Sequence, residues 1–220
     1  MDSWSFPTLY SLFVRIQVHQ DRFVQFTSAA SKITAAFHEH ATGGAWAAYS
    51  TVAGPGLYVY TLMPLRDLRQ LDEMPPLETI MTDVYGPSGL DELRLFRESV
   101  VAMEGSVLTG VGTDLPAIVT GPRPPQYFYY ASIEVRETLT AAFFTATRRL
   151  TSARKEPSIF AYRTFAGRSR VHFFAAGDSI ADLGHITNGN GSVPELETQF
   201  QDSIASMESS ILRYMGHGNG

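Results

Sequence analysis

One heptapeptide recurs in this chain: AYSTVAG at 48–54 returns as AYRTFAG at 161–167, and its surroundings return with it. Each copy is followed by a second apolar run, LYVYTL at 57–62 and VHFFAA at 171–176. Upstream, FVRIQVH (13–19) matches YASIEVR (130–136). Downstream, SVVAMEGSVL (99–108) matches SIASMESSIL (203–212). Blocks that keep their order while only the spacers change length mark an internal repeat, one supersecondary unit used twice. The chain therefore reads as a first repeat at 1–113, a proline-rich linker with room for a short strand at 114–126, and a second repeat at 127–220.

Both copies predict the same elements. The first run alternates, with Leu12, Val14, Ile16 and Val18 on one face and Phe13, Arg15, Gln17 and His19 on the other, which describes a half-buried strand. Its counterpart sets Tyr129, Ala131, Ile133 and Val135 against Tyr130, Ser132, Glu134 and Arg136. A helix follows, with Phe23, Phe26, Ala30, Ile33 and Phe37 at helical spacing, matched by Leu139, Ala142, Phe143, Ala146 and Leu150. The recurring heptapeptide and the apolar run after it then form a hairpin across a glycine-containing turn. A long closing helix is expected next, on the spacing of Leu93, Phe96, Val100, Met103 and Val107, and of Phe200, Ile204, Met207 and Ile211. Ser88 with Asp91, and Ser192 with Glu195, have the form of capping boxes at its start. Ahead of it the first copy carries residues 65–87, read as two short helices about Pro75-Pro76, where the second has a shorter Gly/Asn-rich stretch.

Composition excludes several classes of function. There is no cysteine, hence no disulfide, thiolate metal site or cysteine nucleophile. A net charge of −5 offers no electrostatic footprint for nucleic acid. No apolar run approaches the ~20 residues of a membrane span. The N-terminal residues lack the basic and small-residue pattern of a secretory signal, and a cytoplasmic setting is expected. Charged residues make up only 18%, below the roughly 25% of an average soluble domain. Aromatic residues reach 12%. A surface short of charge is consistent with cover by other protein subunits.

The strand LFVRIQV, the hairpin WAAYSTVAGPGLYVYTLMPLRDLRQLD and the final block running into VLTGVGTDLP resemble the ferredoxin-like dimeric α/β barrel superfamily. The likeness covers nearly the whole chain and points to no specific family within it. It implies an α+β fold in which a tandem duplication of a ferredoxin-like β-α-β-β-α unit forms one pseudo-dimeric α/β barrel. It also implies a fourth strand after each closing helix, for which the first copy has room at 114–121 and the second, ending at Gly220, has little. The superfamily holds cofactor-free monooxygenases of polyketide-like aromatics, haem proteins, lyases and isomerases, so the fold alone decides no activity.

With the apolar face of each first strand toward the helices, Arg15, Gln17 and His19 face the barrel interior opposite Ser132, Glu134 and Arg136. Arg15 and Glu134 are placed to pair across the interface. With Tyr49, Tyr162 and His172 they would make a polar ligand cradle, or else a network that fixes how the halves dock. His38-Glu39-His40 reads as the polar end of the first helix rather than a metal site. Haem is not expected, because no histidine falls within a predicted long helix. Trp4, Phe6 and Tyr10 crowd the N-terminal region as candidate partner-binding anchors. Two readings follow. The first is a non-catalytic accessory or scaffold protein that stabilises a larger assembly through a low-charge, aromatic surface, without cofactor. The alternative is a cofactor-free monooxygenase-type enzyme or small-molecule binder that uses the barrel interior and needs an open pocket there.

Overall fold

The computed structural model describes residues 4–6, 9–40, 46–111, 119–121, 124–136, 140–153, 159–165, 169–188 and 198–218. In chain order they form β1 (Trp4–Phe6), β2 (Tyr10–Val18), α1 (Phe23–Glu39), β3 (Trp46–Ala53), β4 (Tyr58–Leu65), α2 (Arg69–Asp72), α3 (Leu77–Tyr85), α4 (Ser88–Ser99) and β5 (Val100–Gly110). Then follow β6 (Val119–Gly121), β7 (Tyr127–Val135), α5 (Thr140–Ala153), β8 (Ile159–Thr164), β9 (Arg170–Gly177), α6 (Ile180–Asn188) and β10 (Ile204–Gly218). β1 pairs with β6, so the linker does carry a short strand. The other eight strands close an antiparallel barrel in the order β10-β3-β4-β2-β5-β8-β9-β7. Read by halves, the order is β3-β4-β2-β5 and β8-β9-β7-β10, the same arrangement of second, third, first and fourth strands.

Register explains which face of each strand is buried where. On β2, Ile16 and Val18 turn outward against Phe26 of α1 and Phe96 of α4, while Phe13 turns inward. On β7, Tyr129, Ala131, Ile133 and Val135 face outward toward Phe143 of α5 and Leu183 of α6, while Phe128 and Tyr130 face inward. Period-2 alternation thus sorts one apolar set under the helices and another into the barrel. The interior is filled by Phe13, Tyr49, Tyr60, Phe128, Tyr130, Phe160, Tyr162 and Phe174, each at most 5% exposed. Their rings meet in tilted and edge-on contacts, as quadrupoles prefer: Tyr49–Phe128 at 4.9 Å, Tyr60–Tyr130 at 5.1 Å and Tyr130–Phe174 at 5.2 Å.

The expected closing helices are corrected. In the first copy the helix stops at Ser99 and residues 100–110 are the fourth strand, paired with β2 from Val100↔Val18 to Thr109↔Tyr10. In the second copy, residues 204–218 are a strand paired with β7 and β3. Apolar residues at Val100, Met103 and Val107 fit a helical period, yet Val100, Val101, Val107 and Thr109 are β-branched and Gly105 disfavours a helix. Strand propensity and a waiting sheet edge prevail over the period. The fourth strands are therefore inside the repeated block, and the second copy does not lack one. Ser88 is not a cap either: it lies in the first turn of α4 and its hydroxyl donates to the Tyr85 carbonyl at 2.8 Å. Asp91 pairs with Arg94 at 3.1 Å. Ser192 and Glu195 lie outside the described residues. The two short helices about Pro75-Pro76 are α2 and α3, and part of the Gly/Asn-rich stretch forms α6.

The chain is tied shut where β10 meets β3, over Ile211–Gly218. Gly54, at φ 151°, turns the β3–β4 hairpin beside this seam, and a Cβ there would run into Ser210 of β10. The opposite junction is shorter: β5 pairs with β8 only over Leu108–Gly110. The N-terminal half of β5 passes the end of β8 with Val101–Gly105 exposed. No helix among the described residues is long and apolar enough to cross a membrane.

Candidate functional site

Where β5 outruns β8, the barrel has a mouth. Its walls are Phe13 and Arg15 of β2, Glu104 and Ser106 of β5, Tyr130 of β7, and Arg170 and His172 of β9. Register puts them there: Phe13 stands opposite Ser106 and Arg15 opposite Glu104, while Ser132, between Tyr130 and Glu134, stands opposite His172. The open volume is about 10 Å³, room for about one water molecule.

His172 lies at the floor, 3% exposed. Its Nδ1 shares a hydrogen bond of 3.0 Å with the Tyr130 hydroxyl, and its Nε2 stands 3.4 Å from the Thr164 hydroxyl. Phe13 packs edge-on against the ring at 5.5 Å. Burial, helped by the nearby Arg170 and Arg15 cations, pushes the imidazole down to about 3, so it is neutral at physiological pH. Burial also raises Tyr130, which stays a phenol. The mouth itself is charged. Arg15 reaches Glu208 of β10 at 2.8 Å and lies 4.1 Å over the Tyr58 ring, a cation–π contact. Its buried Nε has no hydrogen-bond partner. Arg170 lies 3.3 Å from Glu134 and 3.6 Å from Glu104. The site thus joins a neutral, hydrogen-bonded imidazole–phenol pair to two guanidiniums that can hold negative charge.

The structure places the expected residues as follows. Arg15 and His172 are in the mouth. Glu134 stands behind it, holding Arg170 and accepting from the Ser206 hydroxyl at 3.4 Å. The expected Arg15–Glu134 pair is corrected: each finds another partner, because Arg15 reaches over to β10 while Glu134 sits in register with Arg170 on β9. Gln17 shares the inward face of β2 but does not line the mouth. Tyr49 and Tyr162 are core residues. Tyr49 donates to the Pro125 carbonyl at 3.2 Å and Tyr162 packs on Phe174 at 6.1 Å. His19 and Arg136 lie past their strands and are exposed. The sequence reading missed Arg170, assigned to no face, and Glu104 and Ser106, assigned to a helix. The alternation of Arg170, His172 and Phe174 along the third strand of that half was the available signal.

Tyr10 packs edge-on against Phe165 at 6.0 Å, within the chain. Trp4 and Phe6 lie on β1, and their side chains fall outside the described residues. His40 caps α1 and stands 3.1 Å from Asp83. Among the described residues, no group of three His, Asp or Glu side chains converges as a metal site. His185 falls on α6 and His217 on β10, with side chains outside the description. His38 lies within α1, His172 is enclosed in the barrel and His40 faces a carboxylate.

No protein-family model matches the sequence, and no curated protein matches it. Solved structures do match in shape. A candidate monooxygenase from Fusobacterium nucleatum aligns with TM-score 0.67 at 12% identity, over 97% of this chain and 96% of that one. A candidate monooxygenase from Lactobacillus acidophilus aligns with TM-score 0.62 at 10% identity, over 97% of both chains. The chain has the dimeric α/β barrel fold. An anthrone oxidase-like protein aligns as well, with TM-score 0.61 at 10% identity, over 94% of this chain and 92% of that one.

These likenesses overturn the expectation of a non-catalytic scaffold, and the barrel supplies the physical reason. Much of the aromatic surplus first read as surface cover packs inside the barrel, as Phe13, Tyr49, Tyr60, Phe128, Tyr130, Phe160, Tyr162 and Phe174. The C-terminal segment pairs within the chain, with β3, through Gly216↔Ala48 and Gly218↔Trp46.

Proposed function

We propose that the chain is a small-molecule enzyme or binder of the cofactor-free monooxygenase type, working at the barrel mouth. The observation that carries this reading is the neutral His172, bonded to the Tyr130 hydroxyl beneath Arg15 and Arg170. An activated CH2 next to an aromatic ketone loses a proton toward this pair, and the guanidiniums stabilise the resulting enolate. The carbanion adds to O2, which serves as the oxidant. The peroxide so formed regains a proton and loses water, leaving one oxygen atom as a new carbonyl and the other in the water. The depressed imidazole accepts the proton only as the enolate forms beside it, the new negative charge offsetting the burial and the two cations that disfavour its charged form. Among the described residues the barrel core is packed with buried rings, so the proposal works at the mouth and not in the large internal pocket first expected. Arg15, Glu134 and His172 keep a role in it, the first and last in contact with ligand, while Gln17, Tyr49 and Tyr162 do not.

The same proposal takes the barrel as a fusion of two copies of one unit, 1–113 and 127–220, joined by 114–126, in a cytoplasmic setting. The identical strand order of the two halves and their matching sequence blocks support the duplication. The test is oxygen uptake with an anthrone as the probe substrate. Uptake in step with conversion to the quinone, lost in His172→Asn, supports the reading. Uptake no faster than the uncatalysed oxidation ends it.

A further inference from the structure

We infer that Arg15 and Arg170 form an exchange site for a small carboxylate-bearing molecule, with Glu208 and Glu104 as the internal ligands it displaces. The inference rests on the mouth being a small-molecule site and names what binds there. Each arginine is met by a glutamate from the opposite half: Arg15 of β2 by Glu208 of β10, and Arg170 of β9 by Glu104 of β5. Glu104 and Glu208 are the same position of the repeated block, AMEGSVL and SMESSIL. The two arginines are well covered, with side chains 16% and 25% exposed, while the glutamates are 48% and 60% exposed. The cations are therefore fixed in the wall and the carboxylates are able to swing into solvent.

The internal contacts leave something to gain. Glu208 meets Arg15 at Nη1, and the buried Nε–H is left without an acceptor. A carboxylate approaching the same guanidinium side-on satisfies Nε and Nη together, the bidentate geometry that a single oxygen contact lacks. At Arg170 the Glu104 contact, at 3.6 Å, is beyond a hydrogen bond, whereas Glu134 holds the other nitrogen at 3.3 Å and keeps the guanidinium in place. A ligand carboxylate replaces a protein carboxylate of the same shape, so a mouth of about 10 Å³ suffices for the charged group. The body of the ligand stays outside the mouth, because Phe13 and Tyr130 are buried and the Tyr58 face is covered by Arg15.

The experiment titrates benzoate, with benzamide as its neutral counterpart, into the full chain and follows backbone amide shifts of β2, β5 and β9 by NMR. Benzoate is expected to bind and benzamide not to. Glu104→Gln and Glu208→Gln, which remove the internal competitor while keeping its shape, are each expected to tighten benzoate about two- to fivefold, the scale of a partly exposed ion pair. Arg170→Gln is expected to abolish the response, with its thermal unfolding reported alongside to confirm the fold. Unchanged affinity in both glutamate variants, or binding that survives Arg170→Gln, overturns the exchange. Oxygen uptake from an anthrone that benzoate fails to inhibit also overturns it while leaving the proposed chemistry intact. Glutamate-dependent benzoate binding without any oxygen uptake supports the exchange and ends the oxygenase reading instead.

Discussion

Arg15 on the first barrel strand of one half is bonded to Glu208 on the closing strand of the other, 2.8 Å away. Arg170 and Glu104 repeat the relationship in the opposite direction, more loosely at 3.6 Å. The two halves are thus laced at the mouth by charges, whereas deeper in the barrel they are joined by aromatic packing.

A double-mutant cycle on Arg15→Gln and Glu208→Gln measures how much that lacing contributes. With Glu208 half exposed, the coupling in chemical denaturation is expected at about 0.2–1 kcal/mol, shrinking in high salt. The larger share of stability lies in the rings beneath.

Phe174 is 1% exposed and touches Phe13, Phe128, Tyr130 and Tyr162. Phe174→Ala is expected to cost about 3–5 kcal/mol in urea unfolding. Its cavity opens beside the mouth, and uptake of a small apolar probe such as benzene by the variant alone is the companion measurement.

His172 makes stability depend on pH. Its imidazole is depressed to about 3 in the folded chain, against about 6.5 when unfolded. Between those values the unfolded chain binds the additional proton, so stability rises with pH across the window and falls as pH drops through it. From pH 6.5 to pH 5 the loss from this group is expected at about 1.6 kcal/mol, the slope reaching its full 1.36 kcal/mol per pH unit only once the unfolded imidazole is mostly protonated. Unfolding of the chain and of His172→Asn at both pH values checks this. The difference between them should narrow toward acid.

Gly89 packs at the junction of α3 and α4, where a Cβ would collide with the backbone carbonyl of Met81. Gly89→Ala is expected to lower the melting temperature despite alanine's better helix propensity, because backbone atoms cannot move aside as a side chain can. Gly105, whose Cβ would meet nothing, serves as the contrast, and Gly105→Ala should leave the melting temperature nearly unchanged.

How much of this was legible beforehand depends on the period each segment carries. Alternation along residues 12–18 and 129–135 gave the first strands and their buried faces, and the inward placing of Arg15, Ser132 and Glu134 followed from it. The block 99–108 misled because Val100, Met103 and Val107 satisfy a helical spacing, whereas plain strand alternation would separate Val100 from Met103, which share neighbours on β2 only through a register shift. Only the vacant edges of β2 and β8 decide between them. That single misreading hid Glu104 and Ser106 from the site. It also hid Glu208, and so mispaired Arg15 with Glu134. The aromatic surplus was visible in composition, but whether rings fill a barrel or cover a surface is settled by register, which composition does not contain.

The most direct test of the central claim compares kcat/KM for oxygen uptake from an anthrone in the wild-type chain and in Arg170→Gln, each shown to be folded. A residue that stabilises developing charge at the mouth should cost about 10²–10³ in rate when removed. Catalysed uptake that falls on that scale is the predicted result. Uptake indistinguishable from the uncatalysed reaction, or equal in both proteins, would contradict it.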